Sequence, residues 1–182
     1  KSLDKIPFLP ISFFKTHRIA TGDWSPEITF TSSGTTGTTT SRHAVPRLSF
    51  YLENARRNFE FFFGKLSGYH ILALLPSYLE REGSSLISMV DFFIKESGSG
   101  HSGFYLHNYK ALLAKALELK EDNRKVLLLG VSFALLELAE KFDVDLSHCQ
   151  IMETGGMKGR RRKSYERNCM VFSKADLRLG AY

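Results

Sequence analysis

The chain has 182 residues, 43% of them hydrophobic, and carries 25 lysines and arginines against 19 aspartates and glutamates, a net charge of +6. That length suits one domain with a real core, and no run approaches the ~18 apolar residues that a membrane span needs. Its only cysteines, Cys149 and Cys169, show neither CxxC nor Cys/His spacing, which argues against a disulfide framework and a zinc site.

The excess charge is local. From Lys158 to Tyr182 there are eight basic and two acidic residues, so positions 1–157 hold 17 of each. A basic tail on a neutral body is not the basic face of a nucleic-acid binder, and no nucleic-acid partner is expected. The chain starts at Lys1 without a leader pattern. The expected location is the cytoplasm, with the true start missing.

Residues 1–24 place Phe8, Leu9, Ile11, Phe13 and Phe14 around Pro7 and Pro10. Proline there rules out one long helix, so the segment is expected to be a packing arm with a short helix that buries its aromatics. His17, Arg18 and Trp24 form no constellation and read as structural. Glu27-Ile-Thr-Phe-Thr31 is a short strand that runs into Thr31-Ser-Ser-Gly-Thr-Thr-Gly-Thr-Thr-Thr-Ser41, nine hydroxyl side chains and two glycines in eleven residues. Glycine permits positive φ and close approach to a ligand, and hydroxyls with bare main-chain N–H groups suit an anion of several oxygens. A solvated linker has the same composition, but none is expected between an apolar strand and an amphipathic helix. The loop contains no lysine and no Walker A pattern, which argues against a P-loop NTPase.

Leu48 to Leu66 repeats Phe50, Leu52, Ala55, Phe59, Phe62 and Phe63 near helical spacing, with Glu53, Arg56, Arg57 and Glu60 between them. His70-Ile-Leu-Ala-Leu-Leu75 is a continuously apolar strand of the kind buried on both faces of a parallel sheet. Residues 84–94 read as a helix with serine near its N-cap, and Ser97 to Gly103 as a flexible loop whose His101 lacks an acid or nucleophile partner. A weak strand at 103–106, a helix at 110–120, a strand at 125–130, a helix at 133–142 and a strand at 150–153 complete the pattern. Alternation at this spacing predicts an α/β fold, a parallel sheet with helices on both faces. Both glycine turns, 34–37 and 155–156, follow strands and are expected at one edge of that sheet, where such folds bind ligands.

Thr31-Ser-Ser-Gly-Thr-Thr-Gly37 resembles the phosphate-binding signature of the adenylate-forming superfamily. Three more stretches resemble its bacterial acyl-protein synthetase (LuxE-type) family: Ile6-Pro-Phe-Leu-Pro-Ile11 with Phe14-Lys15, Leu75-Pro-Ser-Tyr-Leu-Glu-Arg-Glu-Gly-Ser-Ser85, and Glu153-Thr-Gly-Gly-Met-Lys-Gly-Arg160. The likeness spans roughly positions 3 to 162. It implies a partial adenylation domain at 25–162 behind the arm at 1–24. It further implies ATP with Mg²⁺ as cofactors, and a long-chain fatty acid activated as acyl-adenylate and passed to a protein cysteine. An acyl-reductase or acyltransferase would be the partner protein. Thr31, Ser32, Ser33, Gly34, Thr35, Thr36 and Gly37 would hold phosphate; Gly155 and Gly156 would face adenine. Pro76, Tyr78 and Met89 could line an acyl tunnel, although such residues are more often simple core.

Where many superfamily members have Pro-Lys after the phosphate loop, this chain reads Ser41-Arg42-His43, so Arg42 would supply the cation with a different geometry. No catalytic residue or resident metal ligand is assigned. Residues 163–182 are expected to be an aberrant basic tail. Read one register off, the degenerate code there permits an amphipathic string, so a frameshift is expected and the gene's nucleotide sequence decides it. The family's Tyr-Gly-x-Thr-Glu segment and acyl-accepting cysteine do not occur, and little turnover is expected of this chain alone. The alternative is a non-catalytic nucleotide- or partner-binding α/β module.

Overall fold

A computed structural model describes residues 8–32, 39–75 and 83–155. Ser33 to Gly37, Pro76, Tyr78, Gly156 and the tail at 163–182 lie outside them.

The chain begins with a four-residue helix, α1 (Phe13–Thr16), followed by β1 (Ile28–Thr31), β2 (Arg42–Val45) and α2 (Leu48–Phe63). A regular alternation follows: β3 (Tyr69–Leu74), α3 (Ser85–Ser97), β4 (Gly103–Phe104), α4 (Tyr109–Glu118), β5 (Lys125–Gly130), α5 (Ser132–Lys141) and β6 (Cys149–Glu153). The last four strands form one parallel sheet in the order β4-β3-β5-β6. This is the α/β architecture that the apolar runs predict. The central strands are β3, buried at every position, and β5, which pairs with it from Tyr69 opposite Lys125 to Leu74 opposite Gly130.

Successive strand residues point to opposite faces, and the core divides accordingly. Ile71 and Leu127 pack with Phe59 of α2 and Phe93 of α3, whereas Leu72 and Leu128 pack with Leu112 and Ala116 of α4 and Leu138 of α5. Each fully buried leucine or isoleucine contributes roughly 1.5–3 kcal/mol, so the two middle strands anchor both helical layers. The connections are β-α-β crossovers of the kind that is right-handed in nearly all proteins. From β3 the chain goes outward through α3 to β4, then returns past β3 through α4 to β5, and on through α5 to β6. The direction reverses between β3 and β5, which makes the gap at their C-terminal ends the topological switch point.

Local signals set the helix limits. The Ser84 hydroxyl caps α3 by accepting from Ile87 N–H at 3.4 Å, and Gly98 ends it in the left-handed conformation at φ 57°. Asn108 caps α4 by accepting from Ala111 N–H at 3.1 Å. α2 stops at Phe63, three residues before the periodicity suggests, because Gly64 takes φ 90°.

Two expectations are corrected and one strand is added. β1 is not a member of the parallel sheet: it pairs antiparallel with β2 in a separate two-stranded sheet, Thr31 opposite Arg42 and Ile28 opposite Val45. Residues 42–45, to which the sequence pattern assigns no element, are the second strand of that hairpin. The arm does not bury its aromatics either. Phe8 and Ile11 are exposed, and the ring contacts of Phe13 and Phe14 are with histidines, Phe13 on His17 at 4.9 Å and Phe14 on His43 at 4.6 Å.

Candidate functional site

The hydroxyl-rich segment is a hairpin loop. Ser32 N–H donates to Ser41 O at 3.0 Å and Ser41 N–H donates to the Ser32 hydroxyl at 2.9 Å, which closes its base beyond the strand pairing. Thr31 N–H, facing away from β2, donates to Gly83 O at 2.9 Å. Gly83 has φ 79°, and a side chain on it would meet Thr29 O at 3.2 Å, so glycine lets the two backbones come this close. Phe30 packs against the Tyr51 ring, whose hydroxyl donates to Ser85 O at 3.1 Å. Burial pushes the Tyr51 phenol upward, against the Ser85 hydrogen bond, so it remains a donor. The hairpin is therefore moored to the start of α3. In a parallel unit that start lies beyond the C-terminal end of β3, on the switch-point edge.

Between the hairpin and the arm lies a cleft of about 370 Å³ lined by Phe14, Lys15, His17, Arg18, Thr29 and Arg42, among others. Its lining includes three cationic side chains and a histidine but no carboxylate. A larger, shallower concavity of about 530 Å³ runs along α2, but there Glu53 pairs Arg57 at 3.0 Å and offsets its charge. The smaller cleft is the better anion site on grounds of sign alone.

The second glycine turn leaves β6. Thr154 N–H donates to Gly130 O at 3.0 Å and its hydroxyl reaches the same oxygen at 3.3 Å, which continues the ladder one residue past the strand. Gly155 follows at φ 73° in open space, with no heavy atom within 4 Å of where a side chain would begin. β3 and β6 are separated by β5, so their ends lie about 10 Å apart. Thr31 and Ser32, through Gly83, and Gly155 thus share an edge, yet no hydrogen bond joins them among the described residues. Met89 packs against both core clusters, as a core residue does.

Sequence reasoning passed over a polar pair at this edge. The buried Ser132 hydroxyl, in the first turn of α5, donates to Glu153 Oε1 at the end of β6. A serine just after Gly130 and a glutamate just before the Thr-Gly-Gly turn were the available signals, but only the parallel register of β5 and β6 brings them together.

His101 also differs from expectation. Its ring lies edge-on to His70 at 5.4 Å and its Nδ1 is 3.9 Å from Glu118 Oε1, so it has partners. Cys149 is buried at the start of β6, and burial, helped by nearby Asp145, pushes its thiol up to about 12. Such a thiol is not a nucleophile at neutral pH. Among the described residues no group of three His, Cys, Asp or Glu side chains can hold a metal ion, and no helix is long and apolar enough to cross a membrane.

Comparison of the chain with family models, curated proteins and solved structures finds no match.

Proposed function

We propose that this chain binds ATP at the hairpin edge as the nucleotide-binding part of an acyl-protein synthetase. The observation that carries the reading is the charge of the cleft beside the hairpin: Lys15, Arg18 and Arg42 line it without an acidic neighbour, in a body whose charge is otherwise balanced. Arg42 stands opposite Thr31, so a guanidinium flanks the first residue of the hydroxyl loop. Guanidinium pairs phosphate oxygens bidentately, and hydroxyls and main-chain N–H groups donate to the remaining oxygens. Thr31 to Gly37 would hold the phosphates, while the bare backbone at Gly155 and Gly156 would let adenine lie flat.

Mg²⁺ would arrive on the nucleotide's own phosphate oxygens, as it commonly does, and would supply charge neutralisation there. In the complete enzyme a fatty carboxylate would attack the α-phosphorus with loss of pyrophosphate, and a protein cysteine thiol other than Cys149 would then take the acyl group as AMP leaves. What these residues contribute is position and a field complementary to phosphate charge. An acyl-reductase or acyltransferase would take over the acyl group, and a cytoplasmic location fits that exchange.

Calorimetry with Mg²⁺·ATP, followed by a long-chain fatty acid, tests the reading. Saturable ATP binding is expected, with fatty-acid heat that depends on bound nucleotide. Arg42→Gln should weaken ATP about tenfold, near the ~1.5 kcal/mol of one charge-assisted hydrogen bond. No ATP binding, or full affinity in the variant, would remove the proposal. The second reading, a non-catalytic nucleotide- or partner-binding module, draws on the exposed Phe50, Phe61 and Phe62 of α2. It predicts ATP heat without fatty-acid dependence.

A further inference from the structure

The N-terminal edge of the sheet, opposite the hairpin, holds a second constellation. His70, the second residue of β3, is buried, and both of its ring nitrogens are engaged: Nδ1 lies 2.6 Å from the Ser99 hydroxyl and Nε2 lies 2.9 Å from Asp122 Oδ1. The three residues come from β3, the turn after α3 and the segment before β5, brought together by the strand order. A carboxylate can only accept, so Nε2 carries the proton toward Asp122 and Nδ1 is left to accept from the Ser99 hydroxyl. Arg124 N–H donates to the same Asp122 oxygen at 2.9 Å and fixes the carboxylate.

The serine is held just as firmly. Its turn is tied at both ends, because the Ser97 and Ser102 hydroxyls meet at 3.0 Å and Ser102 also accepts from Ile71 N–H at 2.9 Å. Arg124 Nη1 donates to Ser97 O at 3.1 Å. Ser99 itself is partly exposed and lies between Gly98 and Gly100, which leave its hydroxyl uncrowded. His101 N–H donates to Ser99 Oγ at 3.1 Å and so fixes the rotamer of the hydroxyl.

We propose that Ser99, His70 and Asp122 form a nucleophile, base and orienting acid that hydrolyse small, unhindered carboxylic esters at this edge. The roles follow the geometry of a serine–histidine–acid relay, with the two ring nitrogens exchanged relative to the commonest arrangement. Ser99 Oγ attacks the ester carbonyl carbon as its proton moves to His70 Nδ1. The carbon–oxygen bond to the alcohol breaks, and the same proton leaves with the alkoxide. Water then attacks the acyl-serine, loses a proton to His70 and releases the carboxylic acid, restoring the hydroxyl. Asp122 is a positioning residue that stabilises the imidazolium. Neither described concavity adjoins Ser99, so the acyl group is short and enters from solvent. This activity needs no nucleotide, and its failure would leave the ATP reading standing.

The test uses the full 182-residue chain, a fluorophosphonate probe and p-nitrophenyl acetate. One equivalent of label on the peptide containing Ser99 is expected. Ester hydrolysis should fall about 10²-fold or more in Ser99→Ala, the usual contribution of an activated nucleophile and its base. Asp122→Asn should lower kcat while leaving KM near its starting value, which a merely structural contact would not do. Ser99→Ala removes one oxygen from a partly exposed turn and should keep the circular dichroism of the unaltered chain. Because His70 is buried, the base is probed instead through Ser99→Cys, whose thiol should react with iodoacetamide about tenfold faster than a free cysteine. Label elsewhere or absent, unaltered hydrolysis in Ser99→Ala, or a Ser99→Cys thiol of ordinary reactivity would each overturn the proposal.

Discussion

The two edges of the parallel sheet are built from different materials. At the C-terminal edge the polar groups are largely backbone: Thr31 N–H on Gly83 O, Thr154 N–H on Gly130 O and the open Gly155 turn. At the N-terminal edge they are side chains, with His70 held between Ser99 and Asp122 and Arg124 reaching across to Ser97. Backbone donors hold a fixed dipole at every pH, whereas a carboxylate such as that of Asp122 changes charge with pH. As proposed, one edge would grip an anion and the other would move a proton, and both depend on the same two central strands.

That shared dependence gives the largest expected effect. Leu128→Ala removes a fully buried side chain from β5 and should cost ~2–5 kcal/mol of stability. In a urea titration, nucleotide binding and Ser99 labelling should be lost at one midpoint. Separate midpoints would show that the edges are not supported by one cooperative core.

A smaller change separates them. A side chain on Gly130 would meet Leu135 Cγ and Cδ2 at 2.9 Å and Leu74 O at 3.3 Å, so Gly130→Ala should cost ~1–3 kcal/mol. It should loosen the start of α5 and the Ser132–Glu153 pair while leaving the Ser99 turn protected, as amide hydrogen exchange would report. Equal loss of protection at both edges would contradict this. Gly155→Ala comes next, at ~1–2 kcal/mol, entirely from its positive φ because the space around it is open. Denaturant unfolding of this variant should give a unchanged slope and a lower midpoint.

The smallest effect is the share of the pH dependence that Asp122 contributes at the N-terminal edge. The Arg124 main-chain N–H, with His70 second, holds the Asp122 carboxyl below its usual range. Its folded value is the lower one, so its stabilising contribution is complete above the unfolded value near ~3.9 and is lost as pH falls through the folded value. Asp122 is exposed, so the change should be slight, and Asp122→Asn should flatten it. Stability measured by urea at pH 6 and again below pH 4 checks both the sign and the site.

Much of the fold was legible because its signals are local and strong. Residues 70–75 and 125–130 are apolar at nearly every position, a pattern that suits a strand covered on both faces, and both are such strands. Ser84, Asn108 and Gly98 mark helix limits through chemistry within one turn of chain. The stretch from Thr31 to Ser41 stands out by composition, and hydrogen bonds between Ser32 and Ser41 join its two described ends.

What the sequence did not disclose depends on distant partners. Four-residue strands such as Ile28–Thr31 and Arg42–Val45 are too short for periodicity to reveal whether they join the main sheet or pair only with each other. His70 reads as one more buried strand residue until strand order brings Ser99 and Asp122 to it from 29 and 52 positions away. The sequence by itself determined the kind of layer this chain forms, because burial on both faces demands apolar residues at consecutive positions. Only the tertiary structure decided which polar groups meet at the two edges, because hydrogen bonding there depends on distance in space, and a β-α-β crossover erases the separation along the chain.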